Sequence, residues 1–129
     1  MGNIQKRVEA QNALTIYTVT GKISGDEVQD VIREFYEGHT TQKVLWDMTQ
    51  CDVSAITTED VKKIANLQRK QANLRRGGKT ALAAPEEVSF GLSRMYELLT
   101  ELRKLPFETR TFRTREEANE WLLLEDTGP

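Results

Sequence analysis

One histidine and one cysteine bound the chemistry open to this chain of 129 residues. His39 follows Gly38, which closes a helical segment, and no second histidine or cysteine stands near it in sequence. It therefore reads as a loop residue rather than a metal ligand. Cys51 has no partner for an internal disulfide and cannot build a structural zinc cluster alone. Its neighbour Asp52 disfavours the thiolate rather than activating it. Ser-His-Asp chemistry would require His39, Asp47 and Ser54 to converge in one pocket. Gly77-Gly78 precedes a strand rather than joining a strand to a helix, so it is not a phosphate loop. The reading is a protein that is not an enzyme and carries neither metal nor cofactor.

Three groups of residues remain as candidates for binding. The stretch Thr49–Thr58 reads as a loop between a strand and a helix, the position where ligands and modifications gather in open α/β sheets. Asp47, Cys51, Asp52, Ser54, Thr57 and Thr58 lie on it or at its start, and a phosphorylated hydroxyl there would meet the positive end of a helix. From Val61 to Pro85 there are bases but no acid. Lys62, Arg69 and Arg76 recur every seven residues with Lys70 one step around, which predicts a basic helix face for an anionic partner. Finally, Phe90, Met95 and Tyr96 give a later helix apolar groups beyond one stripe, a candidate surface for an apolar ligand or a homodimer.

The elements that position these groups follow from two alternating periods. Ile4–Ala10 and Ala13–Thr20 read as paired strands, the second with Leu14 and Ile16 on one face and Thr15, Tyr17 and Val19 on the other. Ser24-Gly25-Asp26-Glu27 is a capping box ahead of a stripe of Val28, Val31, Ile32 and Phe35. Lys43–Met48 is the next strand. A long helix is predicted from Thr57 or Thr58 to Gly77-Gly78, burying Val61, Ile64, Ala65, Gln68 and Ala72. Lys79–Ala84 is a strand, and Pro85 sits in the first turn of a third helix whose stripe is Val88, Leu92, Met95, Leu99 and Leu102. Gly91 in that helix reads as a site of close packing or of movement. Phe107–Arg113 is a strand, and a second capping box, Thr114–Glu117, opens a last helix with Ala118, Trp121 and Leu122 inward. The tail Glu125–Pro129 reads as loose.

The order is ββαβαβαβα. It predicts one α/β domain over residues 1–129, with a mostly parallel sheet of about five strands, an antiparallel edge strand and four helices. A net charge of −2 argues against nucleic acid as the partner, as does the lack of aromatic residues in the basic stretch. The longest strictly apolar runs, Ala81–Ala84 and Trp121–Leu124, fall far short of the roughly 20 residues of a bilayer span. With no apolar signal core at the start, the expected location is cytoplasmic. A phospho-receiver would need an acidic pair after its first strand, where this chain reads Thr20-Gly21-Lys22-Ile23.

From about Leu14 to Leu123 this order resembles the STAS domain, the SpoIIAA-like fold of anti-sigma-factor antagonists, and more narrowly the bacterial STAS/Sec14-like proteins. The resemblance rests on Lys43–Thr49 (KVLWDMT), Lys79–Glu97 (KTALAAPEEVSFGLSRMYE) and Pro106–Leu122 (PFETRTFRTREEANEWL). In antagonist STAS domains a partner kinase phosphorylates a serine in an Asp-Ser-Ser/Thr-Gly motif. The matching segment here is Asp52-Val53-Ser54-Ala55-Ile56-Thr57, with Ser54 and Thr57 as stand-ins and no following glycine. The leading expectation is a regulatory module that binds a protein partner through the Cys51–Thr58 loop, the helix start after the central strand and the adjoining basic helix, a reading in keeping with the resemblance. Its Sec14-like side implies the alternative, a small apolar or lipid-like ligand or contact with a membrane surface.

Overall fold

The computed structural model describes residues 2–124, so the tail Glu125–Pro129 lies outside the described residues. The strands are β1 (Asn3–Glu9), β2 (Leu14–Ser24), β3 (Lys43–Ala55), β4 (Lys79–Ala83) and β5 (Glu108–Phe112). They form one sheet in the order β1-β2-β3-β4-β5, with β1 antiparallel to β2 and every other pair parallel. The helices are α1 (Gly25–Glu37), α2 (Thr58–Leu67), α3 (Glu87–Leu102) and α4 (Arg115–Leu123). Successive crossovers of one hand along a sheet growing in one direction deliver α1, α2 and α3 to the same face. There Tyr17, Val19, Trp46 and Leu82 of the sheet pack with Ile32, Phe35, Tyr36 and Ile64 of the helices. The opposite face is covered by α4, whose Ala118, Trp121 and Leu122 meet Leu14, Ile16, Leu45, Ala81 and Ala83. The predicted two faces of β2 are those observed.

The caps read from sequence are present. Ser24 accepts from the Glu27 amide and Thr114 from the Glu117 amide, while Thr57 and Asp60 form a reciprocal capping box. Pro85 lies just outside α3 rather than in its first turn, because Glu86 is the N-cap.

Three elements depart from expectation. First, β3 does not stop at Met48. It continues to Ala55 beside the end of β2, pairing Gly21 with Cys51 and Ser24 with Ala55, whereas its last pair with β4 is Asp47 with Ala83. The segment expected as a loop is therefore one arm of a two-stranded extension. Two register shifts interrupt the extension, and at each one an aspartate accepts an amide two residues on: Asp47 from Thr49 and Asp52 from Ser54.

Second, the long helix is broken. After α2 the chain turns and forms a 3₁₀ segment, Ala72–Arg75, which buries Ala72 and Arg75. Both segments bury positions spaced by about three to four residues, so the sequence pattern reads as continuous. The break removes the single basic helix face. Lys62 stands on α2, paired with Glu59; Arg69 and Lys70 lie in the turn, and Arg76 follows the 3₁₀ segment. All four are exposed, but they do not align along one helix.

Third, α3 is rotated. Its buried positions are Ser89, Ser93 and Thr100, whereas Val88 and Leu102 are 65% and 76% exposed. The inward face lies about 100° from the apolar stripe, one residue step around the helix.

Arg75 shows why the break occurs where it does. Its guanidinium is 2% exposed and donates to the carbonyls of Thr41 (3.2 Å), Gln42 (3.0 Å) and Lys79 (2.9 Å) and to the Thr80 hydroxyl (2.8 Å). It also lies over the Phe107 ring, 4.4 Å from the centroid. These contacts tie the starts of β3, β4 and β5 to one side chain. Gly78 makes room beside it, since a Cβ there would stand 2.2 Å from the Gln42 carbonyl oxygen.

Arg75→Met keeps similar bulk but deprives four acceptors of their donor. Urea denaturation should show a loss of at least about 3 kcal/mol, with Arg75→Lys recovering only part of it because an ammonium cannot fork. Unchanged stability of Arg75→Met would refute the anchor. Gly91 is exposed, and a Cβ there would meet nothing within 4 Å, so close packing does not require the glycine. Gly91→Ala should stabilise by about 0.5–1 kcal/mol, read as a raised Tm.

Candidate functional site

The sheet face under α1, α2 and α3 is not fully filled. A cavity of about 80 Å³ lies between the helices and the carboxyl ends of the strands. Its floor is built by Val19 and Ile23 of β2, Trp46, Met48 and Val53 of β3, and Leu82 of β4. Val28 and Ile32 of α1, Val61 and Ile64 of α2 and the preceding Ile56 form two walls. The third wall is α3, through Ser89, Leu92, Ser93 and Tyr96. Parallel strands with antiparallel crossover helices bring the starts of all three helices to one end of the sheet, which is where ligands enter open α/β folds. The extension of β2 and β3 lengthens that end, because Ile23 and Val53 lie beyond the last residue of β4.

The cavity explains the rotation of α3. Small hydroxyl side chains, Ser89 and Ser93, face inward beside Leu92 and leave room that larger side chains would fill. Ser89, Ser93, Tyr96 and Thr100 recur at helical spacing, so this second stripe was readable in the sequence, although the apolar stripe beside it is stronger. Beneath the cavity lies a polar chain. The Tyr36 hydroxyl donates to Gln68 Oε1 at 3.0 Å, and Gln68 Nε2 donates to the Ile64 carbonyl at 3.3 Å and to the Tyr96 hydroxyl. Burial pushes the phenols of Tyr36 and Tyr96 above their ordinary range, so both stay protonated.

The other candidates are distributed as follows. Asp47 is 6% exposed and fully engaged, with Oδ1 on the Thr49 amide and hydroxyl and Oδ2 on Arg115 at 3.1 Å. Ser54, Thr57 and Thr58 are exposed at the outer side of the extension and the start of α2, with the Thr57 hydroxyl capping Asp60. Asp52 is exposed and holds the Ser54 amide at 2.8 Å, which lowers its carboxyl pKa. Cys51 is half-buried beside the core under α1–α3. Of the apolar group, Tyr96 lines the cavity, Phe90 lies under the Arg113 guanidinium, 3.9 Å from its ring centroid, and Met95 is half-buried. His39, Asp47 and Ser54 do not converge. His39 precedes the first residue of β3, and Ser54 lies near its far end, a span on the order of 30 Å of strand. Among the described residues no cluster of histidine, cysteine and carboxylate side chains is suited to holding a metal ion, and no helix is long and apolar enough to cross a membrane.

A family model described as SpoIIAA-like matches residues 14–123. The chain belongs to the SpoIIAA-like family. No curated protein matches it. Among solved structures, an uncharacterized protein of the DUF3478 family from Shewanella loihica PV-4, with a SpoIIAA-like fold, is similar at 16% identity and a TM-score of 0.57. The match covers 94% of this chain and 93% of that one. At this identity the likeness concerns the fold: a five-stranded mixed sheet with four helices in alternating order, as expected from the sequence.

Within this SpoIIAA-like domain the Cys51 thiol is pushed up to about 11, first by burial and then by the charges of Glu86, Asp47 and Asp52. The direction read from Asp52 holds, but burial is the larger cause. Alkylation by iodoacetamide should therefore be slow at pH 8 and keep rising about tenfold per pH unit toward pH 11, where an open thiol would level off near 9. The sign for stability follows. The unfolded thiol ionises first, so stability falls as pH rises from about 9 toward about 11. An early plateau in the alkylation rate would show that Cys51 is open to solvent.

Proposed function

We propose that this SpoIIAA-like domain is a non-enzymatic regulatory binding module whose principal site is the cavity between α3, its neighbouring helices and the sheet, and that it takes a small apolar or amphipathic ligand. The observation that carries this reading is the unfilled space itself. It is walled almost wholly by apolar side chains at the strand ends where α/β folds bind ligands. About 80 Å³ is a few times the roughly 30 Å³ share of one water, so it suits a short acyl segment rather than a whole lipid.

A protein partner remains part of the proposal because of one feature. The segment that supplies Val53, Ile56 and Val61 to the cavity presents Ser54, Thr57 and Thr58 to solvent on its other side. A ligand inside and a partner outside would thus bear on the same stretch of chain. Phosphorylation of Ser54 or Thr57 would add charge to that outer side without entering the cavity.

Native mass spectrometry of gently purified protein should reveal a small co-purifying mass that is lost from Leu92→Trp, in which the indole occupies the space. A bare polypeptide mass from the native host, with no thermal shift on adding medium-chain amphiphiles, would count against the reading.

A further inference from the structure

We propose that the ligand of this cavity is a short-chain monocarboxylate, held head inward with its carboxylate accepting from the Tyr96 hydroxyl; this rests on the cavity reading above. Hydrogen-bond direction decides the head group. Because the Ile64 carbonyl can only accept, the Gln68 amide must turn Nε2 toward it. The same nitrogen then donates to Tyr96, and Gln68 Oε1 accepts from Tyr36. Every proton in this chain is directed except one. Tyr96 receives a hydrogen bond, and no described acceptor takes its own proton. Tyr96 lines both the apolar cavity and a smaller one that reaches Tyr36, Gln68 and Arg75.

Charge decides between an acid and a neutral acceptor. Arg75 is a buried cation, and among the described residues it forms no ion pair, only bonds to carbonyls and a hydroxyl. Its field reaches both Tyr36 and Tyr96. In a poorly polarisable interior an uncompensated positive charge favours an anion nearby more than it would in water. From Ser89 to Tyr96 the helix rises roughly 10 Å, which sets the depth available to an acyl tail pointing outward.

The test uses two probes on the full chain. Xenon enters apolar cavities without needing a polar partner, so it reads the space alone. Hexanoate reads the head site, with 1-hexanol as its neutral counterpart. Both are followed by amide chemical-shift changes in wild type and in Tyr96→Phe. The expected result is a xenon response in both proteins, hexanoate binding tighter than hexanol in wild type, and about a tenfold or greater loss of hexanoate affinity in Tyr96→Phe. Equal hexanoate affinity in the two proteins, or hexanol binding as tightly as hexanoate, would overturn the inference while sparing the cavity. Absence of any xenon response in wild type would overturn the cavity reading itself.

Discussion

A single buried guanidinium organises this domain. Arg75 carries its charge into the protein without a carboxylate and is tolerated there because carbonyls at the starts of β3 and β4 and the Thr80 hydroxyl surround it. Phe107 at the start of β5 closes over it. The requirement is reciprocal. Those carbonyls end strands or turns at the crowded end of a parallel sheet, and one forked side chain satisfies them together. On its other side the same charge borders Tyr36, whose hydroxyl leads through Gln68 to Tyr96. The anchor of the sheet and the deep end of the cavity are therefore one continuous polar structure.

Much of the fold was legible because local rules and tertiary packing agree. The N-caps at Ser24 and Thr114, the alternation of Leu14 to Val19 and the inward Trp121 appear as their spacing predicts, although the return bond of a full capping box forms at neither cap. The departures arise where a pattern admits two geometries. Burying Gln68, Ala72 and Arg75 satisfies both a continuing α-helix and a turn followed by a 3₁₀ segment, and only the carbonyls awaiting Arg75 distinguish them. Likewise Cys51 and Val53 alternate with Asp52 and Ser54 as a strand should. Polar residues and the shifts pinned by Asp47 and Asp52 obscure the period.

The site was legible only in part. Tyr96 belongs to the group singled out from the sequence, but its neighbours Ser89 and Ser93 do not, because small polar residues on a helix ordinarily signal solvent. Here they face inward, and Val88 and Leu102 at the two ends of the expected stripe stand outside. A helix that presents its smaller face to a sheet makes a void. That void is walled almost wholly by apolar side chains, whereas the groove at the amino end of the sheet is lined in part by Gln42, Lys43 and Lys79.

The two faces of the sheet are completed at different times during synthesis. The helices of the α1–α3 side alternate with the strands along the chain, so that side accumulates shelter as the chain grows. The other side has α4 as its cover, built from Arg115–Leu123, which follow all five strands in the sequence. Until those residues leave the ribosome, Leu14, Ile16, Leu45, Ala81 and Ala83 share one bare apolar plane. An incomplete nascent chain is thus a sticky one, and chaperone demand or aggregation on truncation would centre on that plane.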